Sequence, residues 1–318
     1  MVNAVFLYPG QGAQYPGMGQ DLWHRYDLVK ELFSDASEIC GQDMKRLLFE
    51  ADETELKQVV NTQTAITLVN ASVREVLRRE YGFSSSAAAG FSSGELSALF
   101  DAGCMDFEDL MMLVKRRAEE MVRCSSLLED QHGGPAMAAV IGLNFSQVRR
   151  IVAEHGQGHV YAANDNSPLQ VALSGLAEPI GALKEHLIAG GARRVIPLKV
   201  TGPFHTPLLQ DAAAAFQESL ESVNWKPFQK PCCANVSGGF HESAAAVPQL
   251  LTDQIVSPVR WVDNMEALRG LPLDQAVEAG PGKVLAGLWK GVSKEIPCHP
   301  GGTLEQIEAL AAEAKLQV

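Results

Sequence analysis

Residues 87–99 read AAAGFSSGELSAL, and no other stretch limits the folding of this chain so tightly. Ala87, Ala88, Ala89 and Gly90 read as a short strand of small residues. Phe91-Ser92-Ser93-Gly94 follows, and a helix pattern starts at about Glu95. A strand that must become a helix within a few residues leaves no space for side chains where the two approach. Glycines flanking a serine meet that need, as in the G-x-S-x-G elbow. Such a turn lifts a serine hydroxyl to the C-terminal edge of a sheet and sets the helix N-terminus, with its unpaired N–H groups, beneath it. The five-residue pattern alone also suits a plain Gly/Ser turn, so its surroundings decide between the two.

Those surroundings alternate. Ala4 to Tyr8 reads as a buried strand ending at Pro9-Gly10 and feeding the glycine-rich loop PGQGAQYPGMG. Helical spacing follows in Leu22, Val29, Leu32, Phe33, Ala36 and Ile39, again from Ile66 to Leu77, and again from Phe107 to Arg123. Strands alternating with helices imply an α/β domain with a mainly parallel sheet. After Gln131-His132-Gly133-Gly134 the order changes. AMAAVIGL reads as a strand, SQVRRIVAEHG as a helix, HVYAAN and LQVALSG as strands separated by DNSP, EPIGALKEHLIAGG as a helix and RRVIPLKV as a strand. That is the β-α-β-β-α-β order of a ferredoxin-like unit. The expectation is an α/β domain formed by residues 1–131 and 201–318, interrupted by a ferredoxin-like subdomain at 132–200. CCANVSG and QAVEAG read as further strands of the main domain, and LEQIEALAAEAKL as a surface helix.

At 318 residues the chain has room for one large domain with a smaller one. Its net charge of −12 opposes binding to nucleic acid and to anionic membranes. No apolar run approaches the roughly 20 residues of a membrane span, and MVNAVFLYPGQG lacks the features of a signal peptide. The cysteines, at 40, 104, 124, 232, 233 and 298, form no CxxC pair and no metal-ligand spacing with histidine. They point to a reducing cytoplasm, with no metal and no bound cofactor. GQGAQY lacks the third glycine of a dinucleotide fingerprint.

A serine nucleophile needs a base. His24, His155, His159, His186, His241 and His299 sit in polar or helical surroundings and read as surface, and His132 lies in the glycine-rich hinge. His205 differs: Thr-Gly-Pro-Phe-His-Thr-Pro holds it in a constrained loop at the subdomain junction. In the helix pattern that includes Lys115, Arg116 and Arg117, consecutive residues fan out by 100°, so one of the three can aim into a cleft.

The segments PGQGAQYPGMG, GFSSGELSAL, LVKRRAEEM, NDNSPLQVALSG, GPFHT, QIVSPVRW and VEAGPGKVLAGL, in this order, resemble the malonyl-CoA:acyl carrier protein transacylases and the acyltransferase domains of polyketide synthases. The resemblance runs nearly end to end. It implies an α/β-hydrolase-like large domain with the ferredoxin-like insertion. It implies Ser92 as nucleophile, His205 as general base, and the N–H groups of Gln11 and Ser93 as oxyanion hole, where loss of one donor costs about a hundredfold or more in rate. Gln254 matches the residue whose backbone carbonyl orients the histidine. Arg117 matches the arginine that binds the free carboxylate of malonyl, which a planar guanidinium grips with two parallel hydrogen bonds. Phe204 matches a bulky residue that disfavours methylmalonyl, by roughly 1–3 kcal/mol. Phe91 stands where most of the family has histidine, and is expected to alter polarity or acyl preference without removing the dyad.

The implied reaction is a two-step transfer from malonyl-CoA, a substrate and not a cofactor, to the phosphopantetheine thiol of acyl carrier protein, by a monomeric cytoplasmic enzyme. Fatty acid synthesis is the leading context. A stand-alone polyketide acyltransferase, malonyl loading of a malonate decarboxylase, an acyl-thioester hydrolase on the same dyad, and a catalytically silent scaffold remain open. Carrier proteins are generally acidic, so an acidic enzyme needs a local basic face. Lys283, Lys290 and Lys294, read as one side of a helix, and Arg193 with Arg194 are candidates, with ordinary surface charge as the competing reading.

Overall fold

The computed structural model describes residues 2–198 and 202–316. Two four-stranded sheets organise it. In the first, β1 (Ala4–Tyr8) is flanked by β2 (Ala87–Gly90) and by a strand near the C-terminus, Gln275–Glu278, with Cys298–Pro300 beyond it, and all neighbours run parallel. Every residue of β1, β2 and Gln275–Glu278 is buried. That is the pattern of a parallel sheet with both faces covered. Tyr8 pairs with Gly90 and Leu7 with Glu278, so the strands end together and their loops share one sheet edge.

The second sheet contains β3 (Pro135–Ile141), β4 (Val160–Ser167), β5 (Gln170–Leu176) and β6 (Arg194–Leu198), in the order β4-β5-β3-β6 and wholly antiparallel. With helices Phe145–His155 and Ala177–Ala189 packed on it, this is the ferredoxin-like arrangement. Val140, Val148, Val171, Leu173, Leu183 and Leu187 give it a core of its own. In chain order the two late strands of the large sheet are β7 (Gln275–Glu278) and β8 (Cys298–Pro300). The expected domain junction at 200 and 201, and the end of the RRVIPLKV strand, lie outside the described residues.

Several local expectations differ from the structure. CCANVSG is not a ladder strand: among the described residues its β-pairing is limited to the isolated bridges Ala88–Cys232 and Cys233–Phe240. The backbone turns after Asn235, whose side-chain amide donates to Gly90 O in place of a strand N–H. The helix periodicity from Leu22 to Ile39 breaks at Tyr26, which is extended, giving helices Gln20–Arg25 and Asp27–Cys40. β4 continues through Asp165-Asn166, so the β4–β5 turn is tighter than DNSP suggests, and two irregularities interrupt the pairing near Asn164 and Asn166. Irregularities of this kind re-aim side chains. The helix after Gly280-Pro281-Gly282 spans only Val284–Trp289. Lys283 is its N-cap and Lys290 its C-cap, while Lys294 lies beyond the turn at Gly291, so the three lysines do not share one helix face. The C-terminal helix, Leu304–Leu316, is not purely superficial, because Ile307 and Leu310 are buried in the main core.

Candidate active site

The elbow is built by close approach. A Cβ at Gly90 would overlap the Gly94 carbonyl and the Glu95 amide, and one at Gly94 would overlap the Tyr8 carbonyl. Any larger residue would push helix Gly94–Asp101 off the sheet edge. Ser92 sits between them at φ 54°, a left-handed conformation that costs a non-glycine residue on the order of 1–3 kcal/mol. Its N–H donates to Asn235 Oδ1 at 2.8 Å, which ties the strained residue to the large domain. His205 is left-handed as well, at φ 61°, in the Pro203-Phe204-His205 loop.

These strained residues meet. The Ser92 hydroxyl lies 2.7 Å from His205 Nε2. His205 Nδ1–H donates to the backbone carbonyl of Gln254 at 2.8 Å, which places the proton on Nδ1 and leaves Nε2 as the acceptor for the serine hydroxyl. Burial, reinforced by the nearby Arg117 cation, pulls the His205 pKa down to about 3, so the imidazole is neutral at any working pH and its Nε2 lone pair is free to face the serine hydroxyl. The N–H groups of Gln11, in the loop after β1, and of Ser93, at the helix N-terminus, donate to no described residue. Amides left free beside a nucleophile suit a developing oxyanion.

Arg117 projects from helix Phe107–Ser126 and is 1% exposed. Its guanidinium donates to Gln63 Oε1 at 2.8 Å, Gln254 Oε1 at 2.9 Å and Ser92 Oγ at 3.2 Å. All three partners are neutral, and among the described residues no carboxylate lies within ion-pair distance of it. Burial lowers its pKa to about 10, with Glu95 opposing the fall, so it remains a cation. A buried cation whose contacts are all neutral is costly, and a carboxylate from outside would relieve the cost. Lys115 and Arg116 behave as the solvated side of the same helix, near Glu119.

A pocket of about 210 Å³ opens at the dyad between the two units. Gln11, Ser92 and His205 line it from the large domain, and Met137, Asn166 and Ala172 from the small one. Phe204 is buried along its wall, and Phe91 lines it while packing edge-on against Trp261, ring centroids 5.4 Å apart. Among the described residues there is no His/Cys/Asp/Glu group able to hold a metal ion.

Sequence reasoning missed the polar shell behind these residues. Gln63, Glu95, Asn235 and the Gln254 side chain are all buried there. His241, read as surface, is also buried and lies 3.1 Å from Glu95 Oε1. It follows Phe240, which returns to bridge Cys233, and that return carries it beneath the elbow helix. Apart from Glu95, no residue type or spacing announces these contacts. Glu95, as the second residue of the elbow helix, was the one legible hint, since an acid in a first turn faces the dipole of its own helix.

A serine on a strained strand-to-helix turn, a histidine held by a backbone carbonyl and two free amides define a serine-dependent acyl-transfer enzyme on an α/β sheet. The comparison with known proteins narrows this. The acyl transferase domain model matches residues 5–287. The chain is 35% identical to the malonyl CoA-acyl carrier protein transacylase of Bacillus subtilis, over 97% of this chain and 96% of the relative. It is 32% identical to that of Escherichia coli K12, over 99% and 100%. The chain therefore belongs to the acyl transferase family, on its malonyl-CoA:acyl carrier protein transacylase branch. Among solved structures, the transacylase of Xanthomonas oryzae superposes with a TM-score of 0.92 at 32% identity, covering 98% of each chain. A type II polyketide malonyl-transacylase, solved in complex with its acyl carrier protein, superposes with the same TM-score at 31% identity, over 98% of this chain and 99% of that one.

Proposed function

We propose that this chain transfers a malonyl group from malonyl-CoA to the phosphopantetheine thiol of acyl carrier protein, through an ester on Ser92. The observation that carries the choice of acyl group is Arg117: a buried guanidinium, touching the nucleophile, with only neutral partners. A general esterase has no use for it.

In the first half-reaction His205 Nε2 takes the Ser92 proton as Oγ bonds to the thioester carbonyl carbon. The carbonyl oxygen becomes an oxyanion facing the Gln11 and Ser93 amides. Collapse breaks the C–S bond, and His205 returns the proton to the CoA thiolate. In the second half the carrier thiol gives its proton to His205 and attacks the ester, and Ser92 Oγ leaves and is reprotonated. The reading includes no metal and no cofactor, a monomeric chain in the cytoplasm, and no nucleic acid or membrane partner. Fatty acid synthesis is the proposed context.

Intact mass tests this. A single malonyl adduct that passes to holo acyl carrier protein is expected, with little adduct from acetyl-CoA. Steady release of CoA and free malonate, with no transfer to the carrier, would make the chain a hydrolase. A fatty acid carrier protein is expected to accept malonyl faster than a polyketide one, and the reverse preference would change the context.

The carrier protein is proposed to approach at Lys283 and Lys290, which cap the two ends of the helix that begins at Val284, a pocket-lining residue 47% exposed. Arg194, at the start of β6, stands on the strand whose Leu198 lines the same pocket. Reversing both lysines to glutamate should raise the apparent KM for carrier protein about tenfold, the lower end of steering effects, and leave that for malonyl-CoA unchanged. Equal effects on both would remove the docking assignment.

A further inference from the structure

Arg117 poses an electrostatic problem that its direct contacts do not solve. A carboxylate against the guanidinium would stabilise the buried charge but fill the face needed for substrate. The structure has a different arrangement. Gln254 stands between Arg117 and Glu95: its Oε1 accepts from the guanidinium at 2.9 Å, and its Nε2 donates to Glu95 Oε2 at 2.6 Å and to the Ser92 carbonyl at 3.1 Å. Flipping the amide would set donor against donor at Arg117 and acceptor against acceptor at Glu95, so the orientation is locked from both ends. Glu95 is held in turn by the Asn235 N–H at 3.1 Å and by His241. It is 1% exposed, so its charge acts with little screening. Three of the five guanidinium N–H groups are occupied, which leaves donors for an incoming carboxylate.

We propose that Glu95 is a positioning residue for malonyl recognition, fixing the Gln254 amide so that it holds the Arg117 guanidinium in place with its substrate-binding edge open. The proposal rests on reading Arg117 as the carboxylate-binding group. Glu95 and His205 are the titratable groups that face Arg117. Of the two, only Glu95 can be an anion, so it supplies the compensating charge.

The test is single-turnover acylation with malonyl-CoA and, separately, acetyl-CoA, in the wild-type protein and the Glu95→Gln and Glu95→Asp variants. A neutral amide at position 95 can present either its oxygen or its nitrogen to Gln254, so it no longer fixes the orientation that holds Arg117. The malonyl-to-acetyl ratio of acylation rates is expected to fall about tenfold in Glu95→Gln, the worth of about one hydrogen bond at the guanidinium. Glu95→Asp, which keeps an acceptor-only carboxylate, is expected to keep the wild-type ratio. If Glu95→Gln keeps the wild-type ratio, or if malonyl and acetyl loading fall together, Glu95 is merely structural and the proposal fails. Failure of Glu95→Gln to fold, with Glu95→Asp folded but showing the loss in ratio, would also overturn it. A wild-type protein with no malonyl preference at all would instead overturn the reading of Arg117.

Discussion

Ser92→Ala is expected to carry no acyl group after incubation with malonyl-CoA, and its transfer rate should fall by at least about 10³-fold, as when a nucleophile acting as a unit with its base is removed. The hydroxyl is the atom that His205 Nε2 faces at 2.7 Å, and alanine leaves the rest of the elbow in place. His205→Ala should slow acylation by about 10²–10⁴, the usual worth of a positioned general base. The wild-type acid limb has a distinct position. With the histidine pKa held at about 3, its basic form persists as pH falls, so the rate of acylation should not decline near pH 6.5, where an ordinary histidine titrates, but only as pH approaches that lower value. A persistent adduct in Ser92→Ala, located by peptide mapping, would move the nucleophile elsewhere. An acid limb near pH 6.5 would mean that the dyad is open to water in solution.

Arg117→Ala is expected to exchange one acyl preference for another. Malonyl loading should fall by about 10²- to 10⁴-fold, matching two lost charge-assisted hydrogen bonds at roughly 1.5–3 kcal/mol each. Acetyl loading should change much less, because its methyl group has no use for a cation. Arg117→Lys should recover only part of the malonyl rate, since an ammonium lacks the planar fork. Parallel rates of malonyl and acetyl adduct formation read both substrates at once. If both fall together, Arg117 serves the nucleophile through its 3.2 Å contact with Ser92 Oγ rather than the substrate.

The elbow, the alternation of strand and helix, and the β-α-β-β-α-β order were legible in the residues because each is local. Gly90 and Gly94 sit where one strand and the following helix touch, and the periods of neighbouring residues fix the elements. Failures of local reading came where a side chain or a turn took over from the backbone. Asn235 replaces a strand N–H, and Gly291 cuts short the helix expected to carry three lysines.

The site is different in kind. Ser92 and His205 are 113 residues apart, Ser92 and Asn235 143, and Ser92 and Gln254 162. Resemblance to a family pointed to Ser92, His205, Arg117 and the Gln254 carbonyl by position, but only the tertiary structure put them within hydrogen-bond distance. It alone turned Glu95, Asn235 and His241 from ordinary polar residues into a buried network. The physical reason is that periodicity reports which face of an element meets the core. The pairing of buried polar groups depends on where distant elements cross, and desolvation then requires each group to find a partner whatever its distance along the chain.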